Sequence, residues 1–99
     1  MKQNRHHVLS LIKDNRTAIR HYGVKSLALF GSCVRGEQTD ASDLDFVVEF
    51  EKKTFDACMG LKGFLENLFQ CPVDLVIKEA IKPRLRQVIL GEAINAEGL

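Results

Sequence analysis

The sequence has too few cysteines, at the wrong spacing, for a disulfide framework. Cys33, Cys58 and Cys71 are odd in number and include no CxxC pair. That disfavours structural zinc as well and fits a reducing cytoplasm. No apolar run approaches the length of a membrane span. The polar, basic stretch Met1 to His7 has no apolar segment behind it, so it does not read as a secretory signal. An excess of charge of one sign is missing too, with 14 Lys and Arg against 13 Asp and Glu. Polyanion binders are usually more basic, so nucleic acid is disfavoured as a partner. Repeats, low-complexity tracts and linkers are absent. What remains is a chain of 99 residues with an ordinary 45% of hydrophobic residues, which allows one domain, expected over 1–99.

Val8, Leu11, Ile12, Asn15, Ile19 and Tyr22 recur at helical spacing. They predict an amphipathic helix over about residues 4–21, closed by Gly23 as a C-terminal cap. Ser26 to Phe30 reads as a short buried strand that Gly31 breaks, with a short helix opening at Cys33 and ending at Gly36. Glu37 to Ser42 is polar and reads as loop. From 43 to 50 the pattern alternates. Asp43, Asp45, Val47 and Glu49 point one way, and Leu44, Phe46, Val48 and Phe50 the other. Thr54 can cap a helix to about Phe69 with Phe55, Cys58, Leu61, Leu65 and Leu68 as its buried stripe. Val73 to Ile77 is a third strand. Pro83 suits the first turn of a last helix ending near Gly91, with a short strand expected at Ala93 to Asn95. A helix between the second and third strands makes those two parallel. The short link between the first and second favours an antiparallel pair. The end of strand one then lies beside the starts of strands two and three.

That topology gathers chemistry on one edge of the sheet. Asp43 and Asp45, two apart on a strand, leave the same face, with Cα atoms roughly 6–7 Å apart. Clustered carboxylates repel, and a divalent cation relieves the repulsion; hard oxygen donors favour magnesium or manganese. Asp74 on the neighbouring strand would complete a site for two ions about 3.5–4 Å apart. It is also the candidate to accept a proton from an acceptor hydroxyl. By itself the Asp43–Asp45 pair is equally a solvated strand face. Next to it, Gly31 permits close backbone approach to an anion, Ser32 adds a donor, and Arg35 could reach the same phosphates. A Gly-Ser pair alone is usually just a turn; its position relative to the aspartates gives it meaning. Cys33 is either a thiol made reactive beside a helix start or, more ordinarily, a small packed side chain. Lys78, Lys82, Arg84 and Arg86 form a basic cluster that reads equally as a solvated helix end. His6, His7 and His21 show no metal spacing. Phe55, Phe64, Leu65 and Phe69 could include an exposed partner patch, with core packing as the default.

The run Gly31-Ser32-x-x-Arg35-Gly36, followed by Ser42-Asp43-Leu44-Asp45-Phe46-Val47-Val48, resembles the signature of the polymerase-beta-like nucleotidyltransferase superfamily. The small size is similar to that of the minimal nucleotidyltransferases, the MNT-domain proteins. The resemblance implies an α+β fold, a small mixed β-sheet with helices packed on one face. It implies transfer of a nucleoside monophosphate from a nucleoside triphosphate, with ATP as the expected substrate and two Mg2+ ions (Mn2+ as the alternative) as cofactors. Asp43, Asp45 and Asp74 would be the catalytic and metal-binding residues, and Gly31, Ser32 and Arg35 the nucleotide-binding ones. Cys33 departs from the bulkier residue that relatives often carry. Many MNT proteins are antitoxins of HEPN-domain toxins, and some transfer AMP to a tyrosine of that toxin. A HEPN-domain toxin is therefore the expected acceptor and partner. A non-catalytic antitoxin and a transferase acting on a small molecule are the alternatives, and a homo-oligomer is left open.

Overall fold

The computed structural model describes residues 4–35, 43–52 and 54–96, with the side chains of Ser32 and Arg35 outside the described set. Helix α1 (Arg5–Asp14) starts where the Asn4 side chain accepts a hydrogen bond from the His7 amide at 2.8 Å. The first predicted helix is in fact two, because α2 (Arg16–Arg20) begins after a break at Asn15. The break has a local cause. The Asn15 side-chain amide donates to the Leu11 carbonyl at 2.8 Å, and the backbone leaves the helical region at φ −108°. Asparagine competes with the helical ladder in this way. α2 ends at Arg20 with His21 as its C-cap, and Gly23, expected as the cap, follows two residues later at φ +82°.

Strand β1 (Val24–Phe30) begins two residues earlier than expected. It is followed by the single turn α3 (Ser32–Arg35), which opens at Ser32 rather than Cys33. The expected end of that turn at Gly36 and the loop over 37–42 lie outside the described residues. Strand β2 (Leu44–Phe50), helix α4 (Phe55–Phe69), strand β3 (Val73–Ile77), helix α5 (Pro83–Glu92) and the two-residue strand β4 (Ile94–Asn95) complete the order, with an unforeseen 3-10 turn at Lys78–Ala80. Thr54 caps α4 through a 3.1 Å bond from the Ala57 amide.

The described strands form a sheet in the order β3-β2-β1-β4. β1 runs antiparallel to both β2 and β4, and β2 is parallel to β3. The expected small mixed sheet is therefore present. Its main core lies on one face. Leu27, Leu29, Leu44, Phe46, Val48 and Val73 pack there against Val8 and Ile12 of α1, Ile19 of α2, and Leu61, Leu65 and Phe69 of α4. Phe46 stacks on Phe69, with ring centroids 6.1 Å apart. Phe55 corrects the predicted stripe: it is 79% exposed, while Cys58 and Leu68 are half-buried. Phe55 is the first residue of α4, and its position at the helix start lets it turn off the core side. α5 differs from the other long helices in burying no residue at all. No helix of the described chain is long and apolar enough to cross a membrane.

Candidate active site

The register between strands places the acidic residues. In the parallel pair, Asp45 lies opposite Asp74; in the antiparallel pair, Phe30 lies opposite Asp45. Register partners share a face, so Asp45 and Asp74 project from the same side of the sheet, at neighbouring strand starts, beside the residue at which β1 ends. The main helical core is on the other side, because Leu44 and Phe46, flanking Asp45, are fully buried in it. Two backbone bonds fix this edge. The Leu44 amide donates to the Pro72 carbonyl at 3.1 Å. The Val73 amide donates to the Glu66 carboxylate at 3.1 Å, which ties the start of β3 to α4. Asp43 stands immediately before β2 rather than within it and is exposed, as is Asp74; Asp45 is half-buried.

Gly31 joins the turn to the aspartates. Its φ of +82° is a left-handed conformation that favours glycine. Its bare Cα also faces Asp45. A Cβ at this position would come within 3.2 Å of the Asp45 Cγ and would strike the nearer carboxylate oxygen. Only glycine lets the turn and the carboxylate lie this close. The Arg5 guanidinium donates to the Val34 carbonyl at 3.2 Å, holding α3 to the start of α1. The backbones of Ser32 and Arg35 lie in α3; their expected side-chain roles fall outside the described residues.

One participant had no sequence signal. The Gly31 amide donates to the carboxylate of Glu92, at the end of α5, at 3.0 Å. Sixty-one positions separate the two, and no short motif connects them. A carboxylate at a helix end is otherwise an unremarked surface residue.

Cys33 is 3% exposed and belongs to the core. Burial pushes its thiol above the ordinary 9.0, the neighbouring Cys71 and Asp45 push the same way, and Arg5 opposes them. Burial also raises the Cys71 thiol, helped by Asp43 and Glu66. The packed reading of Cys33 therefore holds, and a reactive thiolate is disfavoured. None of the three cysteines is in a disulfide.

Among the described residues, no group of three His, Cys, Asp or Glu side chains is gathered closely enough to hold a metal ion. The donor chemistry nevertheless suits a hard divalent cation. Carboxylate oxygens come from two strands in register, and the missing Cβ of Gly31 leaves room around Asp45.

Comparison with known proteins gives the family and the fold. The family model described as "Nucleotidyltransferase domain" matches residues 12–95. An inferred protein adenylyltransferase of Methanocaldococcus jannaschii is 45% identical over 86 residues, 85% of this chain and 88% of the relative. The protein adenylyltransferase MntA of Thermococcus cleftensis is 33% identical over 87 residues, covering 86% and 88%. A solved structure described as a minimal nucleotidyltransferase superposes with a TM-score of 0.73 at 37% identity, covering 87% of this chain and 93% of its own. A chain from the complex of a tri-AMPylated Shewanella oneidensis HEPN toxin with its MNT antitoxin superposes at 0.65 and 20% identity, covering 92% and 73%. At that identity the last match concerns the fold alone.

Proposed function

The chain belongs to the nucleotidyltransferase domain family, and from that premise we propose that it moves AMP from ATP to a hydroxyl of a partner protein. The partner is a HEPN-domain toxin, and this chain its antitoxin. The observation that carries the reading is the register of Asp45 with Asp74 beside the Gly31 turn. The names of the relatives support a protein acceptor and an adenylyl donor. The same fold occurs in a HEPN toxin complex with an MNT antitoxin and in a toxin-antitoxin with AMP-PNP, and the partner and nucleotide are proposed by analogy with those proteins.

In this reading the Gly31-Ser32 turn receives the triphosphate, with Arg35 from the same turn reaching for it. Asp74 takes the proton of the attacking hydroxyl. The acceptor oxygen bonds to the α-phosphorus as the bond to the bridging oxygen breaks, and pyrophosphate leaves. Asp43, Asp45 and Asp74 would hold two Mg2+ ions, or Mn2+, which supply Lewis-acid stabilisation of phosphate charge when bound. The half-burial of Asp45 keeps that carboxylate partly out of water, where its charge acts more strongly. In this reading the protein works in the cytoplasm, where ATP is at hand and thiols stay reduced.

The test is transfer of label. Incubation of the chain with α-phosphate-labelled ATP, magnesium and a HEPN-domain protein from the same genome should label that protein. Asp43→Ala and Asp45→Ala should each abolish the label. Label that survives both substitutions excludes the proposed site. Protection of cells by an Asp43→Asn, Asp45→Asn chain would shift the antitoxin role from catalysis to blocking.

A further inference from the structure

The donor that the triphosphate needs is already in use. The Gly31 amide, part of the turn proposed to receive phosphate, is bonded at 3.0 Å by the Glu92 carboxylate. A carboxylate oxygen on a backbone N–H imitates a phosphate oxygen in charge and in acceptor geometry. The two cannot share this single hydrogen. Glu92 also brings a negative charge to a turn that faces the Asp45 carboxylate, so it raises the local negative potential that an incoming polyphosphate meets.

The helix carrying Glu92 buries little of its own surface, although its end runs into β4, which pairs with β1. α5 contains no buried residue, and Leu85 and Val88 on its outer side are 44% and 65% exposed. A helix that buries little apolar surface can shift or fray without disturbing the core. Among the other elements, α4 by contrast buries Leu61, Leu65 and Phe69. The latch, Glu92, thus ends the one long helix with no buried residue, against a turn that faces Asp45.

We propose that Glu92 is an internal competitor of the nucleotide: its carboxylate occupies the Gly31 amide in the resting chain and must leave before a triphosphate oxygen can take that donor. The inference rests on the nucleotide reading of the Gly31-Ser32 turn. Its consequence is that ATP affinity in the resting chain is set below what the turn alone would give. Any partner that draws α5 away raises it.

Titration calorimetry of the intact chain with Mg·ATP tests this, using two variants. Glu92→Gln removes the charge and weakens the acceptor. Glu92→Asp keeps the charge and shortens the reach by one methylene, so that a purely electrostatic effect and a direct contact separate. Both variants should bind Mg·ATP about tenfold more tightly than the natural chain, the factor to which roughly 1.4 kcal/mol corresponds. In the nucleotide-free proteins the Gly31 amide proton should move upfield in the NMR spectrum of both, reporting a hydrogen bond weakened in Glu92→Gln and lost in Glu92→Asp. Tighter binding by Glu92→Gln alone, with Glu92→Asp unchanged, overturns the latch and leaves only long-range repulsion. Weaker binding by either variant overturns it too, and makes Glu92 a support of the turn. Absence of Mg·ATP binding in the natural chain and both variants defeats the nucleotide reading itself. A moved Gly31 resonance with unchanged affinity defeats the latch alone.

Discussion

At the scale of single residues, Gly31 carries two demands that no other residue meets together: a left-handed backbone and an empty Cα side against Asp45. Gly31→Ala should cost about 1 kcal/mol for the backbone alone. It should also push the Asp45 carboxylate off its place. The expected result is a lowering of Tm by a few degrees with at least a tenfold loss of adenylyl transfer, about what a displacement on the ångström scale costs in a positioned site. Transfer that stays at the natural rate would separate the turn from the chemistry. Cys33 makes a different prediction, about pH. Its folded-state pKa lies above the unfolded one because burial opposes the thiolate. The neutral thiol therefore favours folding below about pH 9, and this contribution fades as pH rises through the folded value. Urea unfolding at about pH 7.5 and about pH 10.5 should show a larger loss of stability in the natural chain than in Cys33→Ala. Equal losses would show that the buried thiol is not linked to folding.

At the scale of elements, the sequence is most readable where one periodicity governs a whole segment. The alternation from Asp43 to Phe50 matches β2 except at its first residue, and the parallel pairing of β2 with β3 brings with it the shared face of Asp45 and Asp74. Thr54 marked the start of α4 because a hydroxyl three residues before an unsatisfied amide is a local cap that needs no tertiary help. Thr54→Ala should cost about 1 kcal/mol of unfolding free energy, read as a shifted urea midpoint with an unchanged slope. A neutral result would mean that packing alone fixes the end of α4. The misreadings come from competition that no pattern records. Asn15 sits in register with the apolar stripe yet turns its amide back onto Leu11, so one expected helix became two. Phe55 fits the stripe of α4 by spacing but is exposed, while Ala57 and Cys58 of the same turn pack against the core. The Glu92 contact to Gly31 joins the far end of the chain to its centre, a relation that only the folded arrangement creates.

At the scale of the whole molecule, the main core and the proposed site occupy opposite faces of one sheet. One face holds the packed layer of Phe46, Phe69, Leu61 and Leu65, all buried; the other holds Asp45 and Asp74, held in register by strands that the core secures. A domain of this size has roughly 5–15 kcal/mol of stability to lose. Phe46→Ala, which empties a fully buried site stacked on Phe69, should remove about 3–5 kcal/mol and take activity with it only through unfolding. The aspartates should behave in the reverse way. Asp45 and Asp74 make like charges on neighbouring strands, an arrangement that folding tolerates rather than needs. Asp45→Asn and Asp74→Asn should therefore leave unfolding free energy within about 0.5 kcal/mol of the natural chain, or raise it, while abolishing labelling of the acceptor. Parallel melts and transfer assays on the three variants decide the matter. If either asparagine variant melts as early as Phe46→Ala, the carboxylates are structural after all, and the division of the sheet into a stabilising face and a reacting face fails.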